Sequence, residues 1–295
     1  MRRLTVALTI VALALPACLI ASDEAEIAMS AKTFSGLKLR NIGPALMSGR
    51  IADIAVHPTD PSIWYVAVGS GGVWKTANAG TTWEPIFDGE TSYSTGCVTL
   101  DPSNPDIVWV GTGENVGGRH VAFGDGVYRS ENGGATWKNL GLSESQHLSK
   151  IIVHPEDGET VWVAAQGPLW SPGGERGLYK TTDGGATWKN TLSAGEWTGV
   201  TDLLNDPRNP DLLYAATWQH HRTIAAVIDG GPETGIHRST DGGETWTELS
   251  NRLPKSTMGK IGLANSPQNP DVHYAAIEHD NATRGLSRSA DRGAS

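Results

Sequence analysis

The feature that most constrains this chain is a nine-residue segment, Lys180–Trp188 (KTTDGGATW), because versions of it recur along the sequence. Further copies run Lys75–Trp83 (KTANAGTTW), Arg129–Trp137 (RSENGGATW) and Arg238–Trp246 (RSTDGGETW), with a shorter RSADRGAS at Arg288–Ser295. The Asp/Asn position is Asn78, Asn132, Asp183, Asp241 and Asp291, at intervals of 54, 51, 58 and 50 residues. A near-constant period of this size marks a repeat protein whose units bury their faces against one another.

Each part of the box suits a tight turn between two strands. The short Asp or Asn side chain accepts from backbone N–H groups a little further on, and Asn keeps that acceptor without the charge. Gly80, Gly134, Gly185, Gly243 and Gly293 supply a left-handed position free of a Cβ penalty. The Thr-Trp pair then opens the next strand, where Trp83, Trp137, Trp188 and Trp246 are expected to pack between neighbouring sheets with a local acceptor for each indole N–H.

A second signal falls between the boxes. HPTDPSIWYV, DPSNPDIVWV, HPEDGETVWV, DPRNPDLLYA and SPQNPDVHYA start at His57, Asp101, His154, Asp206 and Ser266, and their Pro and Asx residues are turn chemistry. His57 and His154 share this slot with Asp and Ser, so they read as turn residues and not as metal ligands. In the first repeat, alternation and β-branched or aromatic content predict strands at Ile51–His57, Ile63–Val68, Gly72–Thr76 and Thr82–Phe87. Later repeats are expected at Ser94–His147, Leu148–Thr198, Gly199–Thr257 and from Met258 onward. The implied fold is all-β: a β-propeller of four-stranded antiparallel blades with about five blades in residues 41–295. The fifth box stops one residue before its Trp, so the propeller is expected to be incomplete here and to continue beyond Ser295. WD40 blades are shorter, and kelch blades carry a different glycine and aromatic signature.

Charge and cysteine content narrow the function classes. Lys+Arg 23 against Asp+Glu 32 gives a net charge of −9 with no basic run, which leaves out an electrostatic nucleic-acid footprint. Arg2 and Arg3 precede an apolar run from Leu4 to Ile20, followed by acidic residues, so residues 1–22 read as an export signal and 23–40 as a linker. The run is marginal for a membrane span and is broken by Pro16, so no transmembrane span is expected. Leu15-Pro16-Ala17-Cys18 resembles a lipoprotein cleavage site, which leaves two readings: cleavage near Ala21, or lipid attachment at Cys18. The expected location is periplasmic, outer-membrane-anchored or secreted. Cys97 is the other cysteine, so neither a disulfide framework nor a Cys-based zinc site is available, and no cofactor or metal is expected.

If box turns join third and fourth strands, the loops joining second and third strands lie on the opposite face. Their lengths vary, and binding residues concentrate on such loops. The first is short (Gly69–Gly72). The second offers Glu114, Arg119, His120 and Asp125; the third Trp170, Glu175 and Arg176; the fourth Trp218, His220, His221, Arg222, Asp229 and Glu233; the fifth Glu278, His279, Asp280 and Arg284. Carboxylates, Arg and Trp on one mouth suit sugar or peptide recognition. His220 and His221 are adjacent, so they point to opposite sides of a strand and do not form a two-ligand metal site. HExxH, GxSxG, GxGxxG and Walker patterns are absent from the sequence.

The repeated box resembles the Asp-box, or BNR, repeat of β-propellers, found in sialidases, xyloglucan-degrading glycoside hydrolases and sortilin-type receptor domains. SGRIADIAVHP, VWVGTGEN, GDGVYRS, GERGLYKTTDGGATW and LYAATW further resemble large secreted bacterial proteins with sortilin-like Asp-box propellers, often described as glycosyl hydrolases with BNR repeats. In such families the box lies away from the ligand. The xyloglucanase resemblance implies a catalytic Asp just before the Gly pair opening the first blade's third strand, where this chain has Gly69 and Ser70. Sialidases carry an Arg-Ile-Pro strand, and here the sequence is Arg50-Ile51-Ala52. The expected function is an exported module binding carbohydrate or a protein or peptide within a larger protein. The alternatives are a glycoside hydrolase with part of its site beyond Ser295, and a structural scaffold without a small ligand.

Overall fold

A computed structural model describes residues 49–279 and 284–294. The expected signal (1–22), the linker (23–40) and the first residues of the propeller segment lie outside the described residues. Blade 1 comprises β1 (Ile51–Val56), β2 (Trp64–Val68), β3 (Gly72–Thr76) and β4 (Glu84–Pro85). Blade 2 comprises β5 (Thr95–Leu100), β6 (Val108–Thr112), β7 (Val127–Ser130) and β8 (Lys138–Asn139). Blade 3 comprises β9 (Leu148–His154), β10 (Asp157–Ala165), β11 (Gly177–Thr181) and β12 (Lys189–Leu192). Blade 4 comprises β13 (Thr198–Asp206), β14 (Asn209–Gln219), β17 (Ile236–Ser239) and β18 (Thr247–Leu249), with a separate hairpin of β15 (His221–Arg222) and β16 (Val227–Ile228) rising from its second-to-third strand loop. The fifth sheet has β19 (Met258–Asn265), β20 (His273–His279) and β21 (Arg284–Ser289).

All pairings are antiparallel and run in chain order within each sheet. The first strands of successive blades pack on one another, which places them at the centre of a β-propeller arrangement. Each first strand carries a register shift, and at two of these bulges an Asp reaches the next blade. Asp53 Oδ2 accepts from Val98 N at 3.3 Å and Asp202 Oδ2 from Leu263 N at 2.7 Å. Between the sheets lie buried clusters such as Trp109, Leu148, Ile151 and Val163, with Trp188 packed against them. Cys97 is buried there, and burial, followed by the nearby Asp53 charge, pushes its thiol up to about 12.

The box acts over a longer reach than its sequence suggests. The Asp183 carboxylate accepts from Thr187 N, four residues on, at 2.9 Å, and from the hydroxyls of Thr181 (2.7 Å) and Thr187 (2.6 Å). The Thr181 hydroxyl in turn accepts from Gly185 N at 3.0 Å. In the first copy Asn78 Oδ1 accepts from Thr82 N at 2.9 Å while its amide donates to the Thr82 hydroxyl at 2.8 Å, so the turn survives reversal of that one donor. Box glycines such as Gly185 are left-handed (φ 90°), and the preceding residue is left-handed too, at Gly184 (φ 65°) and even at Ala79 (φ 54°) and Arg292 (φ 58°). The fourth strands begin one residue after each box Trp, at Glu84, Lys138, Lys189 and Thr247, and not at the Thr-Trp pair.

Box turns also clip blades together. In every blade an aromatic on the second strand lies opposite a cation on the third: Tyr65–Lys75, Trp109–Arg129, Trp162–Lys180, Tyr214–Arg238 and Tyr274–Arg288. In blades 1, 3 and 4 the aromatic then grips the next blade's box, whereas the buried Trp109 Nε1 of blade 2 makes no such bond. Tyr65 donates to Gly133 O (3.2 Å), Trp162 Nε1 to Gly242 O (3.0 Å) and Tyr214 to Arg292 O (2.8 Å). Returning the contact, Trp137 Nε1 donates to Ile86 O (2.7 Å) and Trp188 Nε1 to Leu140 O (2.8 Å) of the preceding blade. Trp83 and Trp246 instead donate to Gly80 and Gly243 of their own turns. His57 Nδ1 accepts from Asp60 N (3.1 Å) and His154 Nδ1 from Glu156 N (3.2 Å), so both histidines close their Pro-rich turns.

Candidate functional site

Strand alternation places two kinds of loop on the face opposite the boxes: those between second and third strands (69–71, 113–126, 166–176, 220–235) and those joining successive blades (86–94, 140–147, 193–197, 250–257). The long loops of blades 2 and 4 meet over the centre. Asn115 reaches the first strand of blade 5, where Lys260 Nζ donates to its carbonyl (2.6 Å) and its Oδ1 (2.7 Å). Gln166 donates to the same Oδ1 and to the Thr201 hydroxyl. Arg222 Nε donates to Gly117 O, and Arg119 Nη2 donates to Ile224 O at 3.1 Å.

Beneath this crossing the groups are buried and their ionisation is shifted. Trp218 and His220 stack at 3.9 Å with rings 6° apart, and Lys260 Nζ lies 5.1 Å from the Trp218 ring centre. Burial, reinforced by Arg176, His147 and Lys260, pulls His220 down to about 3. His147, whose Nδ1 lies 3.0 Å from Glu114 O, is pulled down to about 4 by burial and then by Arg176. Burial also lowers Lys260 to about 8, although Asp202, Asp229 and Glu278 oppose that shift. The carboxyls of Asp202 and Asp229 are raised, in both cases chiefly by desolvation, and for Asp229 next by Glu278.

The residues singled out in sequence therefore divide. Glu114 is buried, with its carboxylate clasped by Arg50 and by the Ser70 hydroxyl at 2.9 Å, and it latches blade 2 to blade 1. Arg176 is also buried, which corrects its expected role at the loop surface. Its guanidinium donates to the carbonyls of Gly173, Gln166, Pro168 and Ser171 and ties its own loop. Desolvation lowers it to about 10. Trp218 and His220 are buried as well, whereas His221 stacks on Trp197 at 4.1 Å. Arg119, His120 and Trp170 are exposed, and Arg222, Glu175 and Glu278 are half-buried. Glu175 accepts from Glu144 N at 2.8 Å.

Sequence reading missed Lys260, Asn115 and Gln166, because strand periodicity does not tell which inward residue meets a loop from across the ring. It also missed the exposed rings of Tyr93 and Phe123 on this face. Nearby, Asp125 accepts from the hydroxyls of Thr91 and Tyr128 (2.7 Å to Tyr128). The Glu90 carboxyl is raised by burial and then by Asp125. Among the described residues no cluster of three His, Cys, Asp or Glu side chains is placed to hold a metal ion, and no helix is long and apolar enough to cross a membrane.

The Sortilin-Vps10 family model (sortilin, neurotensin receptor 3) matches residues 125–290, more than half of the chain. The chain belongs to the Sortilin-Vps10 family. This family member is also similar to a xyloglucanase of Paenibacillus sp, 29% identical over 219 residues, covering 66% of this chain and 20% of that protein. An oligoxyloglucan-reducing end-specific xyloglucanase of Emericella nidulans is 24% identical over 222 residues, covering 69% of this chain and 24% of that protein. Among solved structures, the GH74 xyloglucanase from Xanthomonas campestris superposes with a TM-score of 0.62 at 18% identity, covering 83% of this chain and 37% of that one. That likeness is one of fold. The chain spans about a quarter of the length of the curated relatives it matches.

Proposed function

We propose that this chain is a propeller portion of a glycoside hydrolase acting on β-glucan-type polysaccharide, and that its own contribution is to bind the polysaccharide on the loop face. The observation that carries the reading is the asymmetry of the two faces. The box rim is occupied by blade-to-blade clips, while the irregular loops, with the exposed side chains of Tyr93, Phe123, Trp170, Arg119 and His120, are gathered opposite. The xyloglucanases among its relatives support a carbohydrate ligand. The export-signal layout of residues 1–22 supports action outside the cytoplasm.

Binding suits this segment better than bond cleavage. Where the xyloglucanase resemblance implies a catalytic Asp, the chain has Gly69 and Ser70, and the adjacent Glu114 carboxylate is buried and ion-paired with Arg50. A glycosidase needs a carboxyl that exchanges protons with the ligand, and an enclosed, paired carboxylate does not.

The test uses the full-length protein. Binding of xyloglucan, mixed-linkage β-glucan and arabinoxylan is measured by calorimetry and hydrolysis by reducing-end release, alongside an Arg119→Ala, His120→Ala double variant. Binding of at least one β-glucan, weakened by the double variant, is expected. A protein that binds and cleaves none of these polysaccharides is not a carbohydrate-active propeller.

A further inference from the structure

The interfaces between successive blades are not filled alike. A box tryptophan packs into the cluster between blades 1 and 2 (Trp137), between 2 and 3 (Trp188) and between 3 and 4 (Trp246). Between blades 4 and 5 the cluster of Ala216, Ile236, Ile261, Ala275 and Ile277 contains no tryptophan. A cavity of about 400 Å³ opens there, running from Tyr214 and Leu249 of blade 4 to Ala275, Ser287 and Ser289 of blade 5 and to Gly293 of the fifth box. Small residues widen it. The cross-strand pair on its wall is Ala275–Ser287, where the equivalent pairs are Val110–Tyr128, Val163–Tyr179 and Ala215–His237. An apolar cavity of ~150 Å³ already takes a benzene ring, so this one has room for an indole.

The sheet beside the cavity is open as well. In blades 1 to 4 the residue after the box tryptophan pairs with the third-strand cation: Glu84 with Lys75, Lys138 with Arg129, Lys189 with Lys180 and Thr247 with Arg238. Among the described residues β21, which carries Arg288, has no strand on that side and forms the edge of a three-stranded sheet. Two residues before each cation stands an apolar side chain. Val73, Val127 and Leu178 are 0% exposed and Ile236 is 5% exposed, whereas Leu286 is 72% exposed. Opposite Leu178 and Ile236 lie Leu192 and Leu249 of the fourth strands, four and three residues after their box tryptophans. The indoles of Trp137 and Trp188 donate to Ile86 O and Leu140 O, each three residues past the preceding blade's box tryptophan. For a fifth indole the corresponding residue is Leu249, on the cavity wall.

We propose that the open edge of β21 and the cavity between blades 4 and 5 together bind a β-strand headed by tryptophan, with an apolar residue three or four positions later, as follows each of the first four boxes. The strand adds antiparallel to β21 with its second residue opposite Arg288. Its indole enters the cavity and donates to Leu249 O, and its later apolar residue covers Leu286. Backbone hydrogen bonds along the edge supply affinity, and the cavity selects the indole. A second copy of the chain pairing β21 to β21 presents no indole and leaves the cavity empty.

The test titrates the 295-residue chain with a fluorescein-labelled synthetic peptide of its own residues 246–252 (WTELSNR), followed by anisotropy, with amide exchange locating the site. Saturable binding that slows exchange in β21 is expected. Within the peptide, Trp246→Ala weakens binding by a factor on the order of ten or more, and Leu249→Asp weakens it too. Within the chain, Ser287→Trp fills the cavity from β21 and blocks the peptide. Peptide changes leave the chain's fold untouched, and a melting curve checks that the Ser287→Trp chain is folded. No binding, equal binding of the Trp246→Ala peptide, or protection that falls outside β21 overturns the proposal. So does a chain whose β21 edge is already protected by pairing with a second copy.

Discussion

Lowering the pH from about 7 to about 5 is expected to destabilise the fold through two buried imidazoles, His147 and His220. In the folded state their pKa values are about 4 and about 3, against 6.5 for a solvated histidine, because each would have to charge in a buried site near Arg176. A depressed histidine pKa means the unfolded chain binds the proton first, so stability is full above pH 6.5 and is lost as pH falls toward the folded value. Between about pH 7 and about pH 5 each residue costs about 2 kcal/mol, close to the full free energy of protonating an unfolded imidazole over that range. The figure is insensitive to the exact folded pKa, provided it lies below 5. Carboxylates held low in the boxes, such as Asp183 at about 2, lose their contribution only below the unfolded value of 3.8, outside this window. The raised carboxyls of Asp202, Asp229 and Glu90 act in the opposite sense, so the total slope does not isolate the histidines. Substitution does isolate them. Urea unfolding at both pH values should show that His220→Phe, which keeps the stack on Trp218, removes about 2 kcal/mol of the pH-dependence, and His147→Gln a similar amount. A wild-type pH-dependence preserved in both variants would refute the claim that these rings are neutral because they are buried.

Three further outcomes follow from the same geometry. Asp183→Ala should lower the melting temperature because Thr187 N loses its acceptor, whereas Asn78→Asp should hardly move it; equal shifts would contradict the acceptor role of the box. Gly185→Ala should cost more than Gly141→Ala. Both are left-handed (φ 90° and 97°) and share a backbone penalty of about 1–2 kcal/mol, but a Cβ at Gly185 meets Leu140 Cδ1 at 2.7 Å while one at Gly141 meets nothing within 4 Å. Identical unfolding free energies for these two would show that the box glycine is not pressed against the preceding blade. Arg176→Met should speed amide exchange across residues 166–176, since carbonyls held by one guanidinium are released; unchanged exchange would mean the loop is ordered by other contacts.

The fold was legible wherever the sequence had to use a special residue. Box glycines announce left-handed turns, the Pro and Asx pairs announce the opposite turns of the same rim, and their spacing sets the blade period. The cross-strand aromatic and cation pairs were equally present in the sequence, at Tyr65–Lys75 and its four equivalents, but the meaning of Tyr65, Trp162 and Tyr214 depends on partners 68, 80 and 78 residues away. The loop face was legible as a face and not as a site. Arg176 and Glu114 have the composition of ligand groups, yet each is consumed by local bonds, and nothing in a loop sequence distinguishes an outward Arg from one turned in to hold carbonyls. Lys260 illustrates the converse: it reads as an ordinary strand residue, and its role appears only when Asn115 arrives from 145 positions away.

The two faces also differ in what they can tolerate. On the box rim a change at one turn is felt by the preceding blade, because the carbonyl beside the box glycine receives that blade's Tyr or Trp donor and its third-strand cation lies within reach. Such a rim has little freedom to acquire ligand contacts without loosening a blade interface. On the opposite face, the strands end before the loops begin, and loops 113–126, 166–176 and 220–235 are stabilised by contacts among themselves, Arg222 with Gly117 and Leu169, Arg119 with Ile224 and Asn115 with Gln166, and by Lys260 on the first strand of blade 5. Exposed side chains there, Tyr93, Phe123 and Trp170 among them, can change without disturbing the sheets beneath. The binding we propose is therefore placed on the face whose loops vary in length, and the repeat supplies the strands, Lys260 and Thr201 among them, on which those loops are held.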